Sequence, residues 1–199
     1  MGKLILIRHG QTDMNKDGIY YGRLDVPINA TGRKQAEKAC EILKEFNLDY
    51  DKIYSSTMKR AFETAGIVNY KNLEIEKSSL IRELDFGIFE GFTYDEIMKK
   101  FPEEMKKCEA DWKNYSYVNG ENPIMLQKRA VEFAESLDKS KNNLVITHWG
   151  IICSLLSWYI SGGLDGYWKF KIKNGGIAVI DFDGDFPVLS GFNLGGTAR

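Results

Sequence analysis

The run Lys3-Leu-Ile-Leu-Ile-Arg8 decides how the rest of the chain is read. Four consecutive apolar residues lack the alternation of a strand with one wet face. They have the look of a strand covered on both sides, as in a parallel sheet flanked by helices. Asn143-Leu-Val-Ile-Thr147 repeats the pattern in the last third of the chain. Shorter strand patterns at Lys52-Ile-Tyr-Ser55 and at 73–77 alternate with helical periodicities, which predicts an α/β layer fold.

Working outward, Thr31 is a cap for a helix reaching about Phe46, with Ala36, Ala39, Cys40, Leu43 and Phe46 on one face. No Glu or Gln follows three residues later, so a capping box is not available to it. Residues 58–68, 94–101, 103–112 and 150–160 read as further helices. Asn122-Pro123 is a strong helix start, predicting a helix to about Lys139 that buries Leu126, Ala130, Phe133, Ala134 and Leu137. Residues 177–182 and 188–192 read as closing strands around an Asp183-Gly184 turn. No repeat or linker composition interrupts the chain, so residues 1–199 are expected to form one domain.

Composition narrows the function. The chain is 43% hydrophobic and 28% charged, a globular mix. A net charge of −1 gives no electrostatic footprint for nucleic acid, so any bound anion needs a local cluster of cations. Cys40, Cys108 and Cys153 are odd in number and far apart, which argues against a disulfide framework or a cysteine zinc site. The apolar run 4–7 is too short for a signal peptide, and the longest uncharged run, 149–164, falls short of the ~20 residues of a membrane span. A soluble cytoplasmic protein that does not engage a membrane is expected. A homodimer is compatible with the sequence but not specified by it.

His9 and His148 are the only histidines. Each directly follows a buried-strand pattern and precedes a glycine-bearing turn. Ligands of parallel α/β sheets collect beyond the carboxyl ends of the strands, so two imidazoles in equivalent positions are expected to share one site. Arg8 precedes the first; Arg60, near a helix start, follows the second strand. A guanidinium fork matches the oxygens of a phosphate, and Gln11, Thr12 and Asn15 add polar donors. A zinc site using both histidines with Glu83 or Asp85 is the competing reading. It lacks H-x-H or H-E-x-x-H spacing, and Arg8 repels a cation. No metal or cofactor is expected.

Taken together, these residues resemble the histidine phosphatase superfamily, in the branch that contains the cofactor-dependent phosphoglycerate mutases. The resemblance runs through Arg8-His9-Gly10-Gln11-Thr12 and Asn15, then Gly22, Asp25, Pro27, Gly32, Gln35 and Ala36. It continues through Ser55-Ser56, Arg60-Ala61 and Thr64-Ala65, then Arg82-Glu83-Leu84, Phe86-Gly87 and Glu90-Gly91, and ends with Val145-Ile-Thr-His148. It implies a three-layer α/β/α sandwich with a mostly parallel central sheet. There are two departures: Trp149 stands where the family commonly has the first of two glycines, and Ile28-Asn29 replaces Leu-Thr.

The resemblance implies that His9 attacks phosphorus and forms a phosphohistidine that water hydrolyses. Arg8, Asn15, Arg60 and His148 would hold the phosphoryl group, with Glu83 as the acid and Asp85 as its less favoured substitute. Gln11, Thr12 and Gly22 are further candidates for substrate contact. Substrate choice is expected in the variable stretch at about 84–122, rich in aromatic rings. That stretch looks short for a mutase, so a phosphomonoesterase acting on a small metabolite is favoured, with α-ribazole 5′-phosphate of the cobalamin pathway as a suggested ester. A phosphoglycerate mutase and a noncatalytic phosphate-ligand binder are the alternatives.

Overall fold

The two apolar runs are adjacent strands. The computed structural model describes residues 2–184 and 186–195. In chain order its elements are β1 (Lys3–Arg8), α1 (Asp13–Lys16), α2 (Ala30–Glu45), β2 (Lys52–Ser56), α3 (Lys59–Val68) and β3 (Ile75–Ser78). They continue as α4 (Tyr94–Lys100), α5 (Pro102–Ala110), α6 (Pro123–Glu135), β4 (Asn143–Thr147), α7 (Trp149–Ser161), β5 (Ile177–Asp183) and β6 (Phe186–Leu194). The six strands form one sheet in the order β3-β2-β4-β1-β5-β6. Strands β1 to β4 pair in parallel, and β5 and β6 close one edge antiparallel.

Both sheet faces are covered, which is why β1 and β4 show no alternation. Leu4, Leu6 and Val145 enter the core under α6 and α7. Ile5, Ile7, Leu144 and Ile146 enter the opposite core, under α2 and α3. Each such side chain contributes roughly 1.5–3 kcal/mol by burial. The result is the expected three-layer sandwich. A smaller cluster around Phe89, Ile97 and Met105 packs the segment that carries α4 and α5. No helix among the described residues is long and apolar enough to cross a membrane.

Several element ends differ from expectation. The cap of α2 is Asn29, whose side chain accepts from the Gly32 N–H, and Thr31 lies inside the first turn. Phe46 follows the helix end and is 53% exposed, while Ile42 takes its place in the core. Helix α6 starts at the expected Asn122 cap but stops at Glu135, before Leu137. The glycine-bearing loop after β1 contains α1, closed by a capping box between Thr12 and Asn15.

Asn29→Ala should destabilise the fold by about 1 kcal/mol, the usual cost of a lost cap, whereas Thr31→Ala should change it by a few tenths. Urea denaturation of the two variants checks this.

Candidate active site

The register of the central strands brings the two histidines together. Arg8 lies opposite Thr147 in the parallel β1–β4 pair, so the next residue on each strand leaves the sheet at the same level. The His9 N–H donates to the Thr147 carbonyl at 2.9 Å, and the two imidazole centroids are 5.1 Å apart. Strand β2, on the far side of β4, ends at Ser56 and delivers Arg60 in the first turn of α3. All of these groups converge beyond the carboxyl ends of the parallel strands, where such sheets bind ligands.

His9 is almost wholly buried, and its Nδ1 lies 2.7 Å from the Gly10 carbonyl. A carbonyl only accepts, so Nδ1 carries the proton in the neutral ring and the Nε2 lone pair is free. Burial, then Arg60 and Arg8, hold the His9 pKa well below its ordinary 6.5. Neutral imidazole, the nucleophilic form, is thereby favoured.

The positive charges are fixed by backbone. Arg60, fully buried, donates to the carbonyls of Leu24 (3.0 Å) and Gly22 (2.9 Å) and, through Nε, to His148 Nδ1 (3.3 Å). Tyr21 lies under its guanidinium, 4.6 Å from ring centroid to Cζ. Arg8 donates to the Ile172 carbonyl at 2.9 Å, and its buried Nε has no partner. Among the described residues neither guanidinium donates to a carboxylate. Carbonyl dipoles offset part of their desolvation and leave a net positive potential that suits an oxyanion.

A cavity of about 270 Å³ opens onto this cluster, lined by Arg8, His9, Asn15, Arg60, Glu83 and Trp149 among others. The Asn15 oxygen accepts from the Thr12 N–H and from Asn174 Nδ2, so its amide nitrogen is the end left for a ligand. The Glu83 carboxylate accepts the Leu84 N–H at 2.9 Å and the Gly150 N–H at 3.2 Å. Gly150 is in the first turn of α7, and a Cβ there would stand 2.3 Å from Glu83 Oε1. The glycine that matters to the carboxylate is therefore the one after Trp149. Arg129 holds the segment from behind with five donated bonds, to the carbonyls of Leu80, Arg82 and Glu83 and to both Glu121 oxygens.

Other expected site residues lie elsewhere. His148 is fully buried behind His9 and does not line the cavity; Nδ1 accepts from Arg60, so Nε2 carries the proton and donates to Ser56 Oγ at 2.8 Å. Burial and Arg60 hold its pKa well below 6.5 as well. Gln11 hydrogen-bonds Gln35 and Asn29, and Thr12 caps α1 and meets the Tyr21 hydroxyl at 2.7 Å. A Cβ on Gly22 would fall 1.6 Å from the Leu84 carbonyl, so this glycine serves close chain approach. None of the three lines the cavity. Asp85 is paired with Arg23 and accepts the Gly87 N–H, which removes it as a substitute for Glu83.

Sequence reading missed Tyr21, Ser56, Glu90 and Asn174. Glu90 accepts the N–H groups of Gly22, Arg23 and Leu24, fixing the loop whose carbonyls hold Arg60. Asn174 donates to the His9 carbonyl and to Asn15. Ser56 and Glu90 were in view in the Ser55-Ser56 and Glu90-Gly91 motifs without a role; Tyr21 and Asn174 act through long-range hydrogen bonds or ring contacts that carry no local signature. Among the described residues no group of three His, Cys, Asp or Glu is placed to hold a metal ion.

An α/β sandwich with a buried imidazole between two guanidinium groups defines a protein built to handle phosphoryl groups. Residues 4–195 match the family model of the histidine phosphatase superfamily, branch 1, and the chain belongs to that family. Membership, together with relatives that are named as phosphatases, supports an enzyme of the phosphoric monoester hydrolase class. It is 31% identical to phosphoserine phosphatase 1 of Hydrogenobacter thermophilus over 198 residues, covering 98% of this chain and 93% of that protein. It is 28% identical to the adenosylcobalamin/alpha-ribazole phosphatase of Escherichia coli, over 96% of this chain and 95% of the relative. The crystal structure of the alpha-ribazole phosphatase from Shigella flexneri superposes with a TM-score of 0.90 at 27% identity, covering 99% and 98% of the two chains.

Both imidazoles are neutral in the fold and protonate freely when unfolded. Their contribution to stability is complete above pH 6.5 and is lost as the pH falls from there toward the depressed folded values. Within that window each should contribute a slope of about 1.4 kcal/mol per pH unit. Urea midpoints across the acid range should fall accordingly, and less steeply in His9→Asn.

Proposed function

We propose that the protein hydrolyses phosphate monoesters through a phosphohistidine at His9. The observation that carries this reading is the His9 tautomer: Nδ1 bonded to the Gly10 carbonyl, Nε2 free, between two guanidinium groups. The Nε2 lone pair attacks phosphorus and forms the P–N bond while the P–O bond to the alcohol breaks. Glu83 gives its proton to the departing oxygen. A water molecule then loses a proton to Glu83 and attacks phosphorus; the P–N bond breaks, and inorganic phosphate leaves with His9 restored.

Arg8, Asn15 and Arg60 hold the equatorial oxygens as charge redistributes, the role fixed cations play in phosphoryl transfer. His148 acts as a positioning residue through its bond to Arg60. This machinery uses only the chain's own groups, and the segment at 84–122 supplies the recognition of the alcohol. A noncatalytic binder is disfavoured because it needs neither a free Nε2 nor a seated carboxylate. A mutase is disfavoured because, among the described residues, Arg8 and Arg60 are the only Lys or Arg lining the cavity, a small basic set for a carboxylated diphosphate. Among esters, α-ribazole 5′-phosphate is supported by the names of the Escherichia and Shigella relatives, and phosphoserine by that of the Hydrogenobacter relative.

Rapid alkaline quench with labelled ester should trap phosphate on wild-type protein and none on His9→Ala. Absence of label in wild type would sink the proposal. Glu83→Gln should lower kcat by roughly 10²–10⁴-fold on alkyl esters, and much less on p-nitrophenyl phosphate, whose leaving group needs no proton. Gly150→Ala should show the same leaving-group dependence in weaker form, because the added methyl displaces the carboxylate.

A further inference from the structure

Beyond Trp149 the cleft continues into a second compartment of about 340 Å³. Tyr20, Glu83, Phe86 and Trp149 line both spaces, so the carboxylate stands at their junction. The walls are rings in mutual contact: Trp149 lies 5.1 Å from Tyr167 and 5.4 Å from Trp168, and Trp112 lies 5.5 Å from Tyr167, centroid to centroid. Among the described residues Glu83 and Glu109 are its only charged lining residues, and no Lys or Arg lines it. Glu109 is exposed and accepts a bond from the Tyr94 hydroxyl.

The bond that breaks must lie where the His9 cavity and Glu83 meet. A phosphoryl group against His9 therefore leaves its alcohol facing the aromatic space. We propose that this compartment takes the alcohol part of the substrate, and that this part carries a flat apolar ring and no negative charge. The proposal rests on the phosphomonoesterase reading and narrows its substrate class. Ring faces favour stacking of a flat group. Glu109, with no cation beside it in the lining, disfavours the carboxylate of a phosphoglycerate-like alcohol. Trp149, the departure from the two-glycine pattern, supplies the shared wall.

The test compares kcat/KM for phosphate release from 2-(2-naphthyl)ethyl phosphate, ethyl phosphate and 3-phosphoglycerate. The naphthyl ester should exceed ethyl phosphate by roughly tenfold or more, with 3-phosphoglycerate lowest. Trp112→Ala should bring the naphthyl-to-ethyl ratio toward one. Glu109→Lys, at an exposed position, should raise 3-phosphoglycerate relative to ethyl phosphate. Binding of 2-(2-naphthyl)ethanol, read by quenching of tryptophan fluorescence, tests the compartment without turnover and should be saturable.

Equal kcat/KM for the naphthyl and ethyl esters, with phosphate released from both, overturns the compartment and leaves the phosphatase standing. No release from any ester and no label on His9 overturns the phosphatase reading, and naphthylethanol binding then still decides whether the compartment accepts a ring. Absence of saturable binding overturns the proposal. If Trp112→Ala does not fold, the Glu109→Lys and binding measurements decide.

Discussion

Two guanidinium groups held below the surface without carboxylate partners are the constraint to which the rest of the site answers. Desolvating such ions is expensive unless their N–H groups are occupied. Arg60 meets this with the carbonyls of Gly22 and Leu24 and the nitrogen of His148; Arg8 meets it in part, with the carbonyl of Ile172, its buried Nε having no partner. Dipoles supply bonds without cancelling charge. A salt-bridging carboxylate would have neutralised the field and raised the imidazole pKa; carbonyls leave both imidazoles neutral and the cavity positive.

Holding carbonyls in those directions shapes the surrounding loops. Glu90 gathers three consecutive N–H groups from 22–24 and so fixes the loop whose Gly22 and Leu24 carbonyls face Arg60. Gly22 lets this loop pass against the Leu84 carbonyl, where any side chain would collide. Arg129 does the corresponding work for the other wall, with all five donors used on the segment leading to Glu83 and on Glu121. The helix start at Gly150 completes the seat of the carboxylate. Charge in the cavity and order in the loops are thus one problem with one solution.

How much of this was legible in the sequence depends on how local each cause is. Strands β1 and β4 could be read residue for residue because burial on both faces leaves an unbroken apolar run. The sharing of a site by His9 and His148 followed from the carboxyl-end rule, since each continues such a run. The cap of α2 could not be settled locally: Asn29 and Thr31 are both good caps. Asn29 prevails because its N–H donates to the Gln11 carbonyl and its amide reaches Gln11 and Asp13. Periodicity carried α2 one residue too far, to Phe46, and α6 past Glu135. Gln11, Thr12 and Gly22 stood beside His9 or in a motif, yet their side chains or close contacts serve the loop, which proximity in sequence does not distinguish. Tyr21 and Asn174 act on residues far along the chain, and only the folded arrangement reveals them; Glu90 stood in a motif, but its hold on residues 22–24 is seen only in the fold.

The parallel pairing of β1 with β4 has a consequence for biosynthesis. His9 and its companion ring sit on strands that become neighbours only after α2, α3 and the segment at 84–122 have been laid down. A nascent or truncated chain carries a complete Arg8-His9 turn that is chemically idle, because nothing yet strips water from it or holds Arg60 beside it. The pocket thus forms with the closure of a long-range parallel pairing, the slow kind of contact in folding. The shielding of His9 is in effect a report that β4 has docked beside β1.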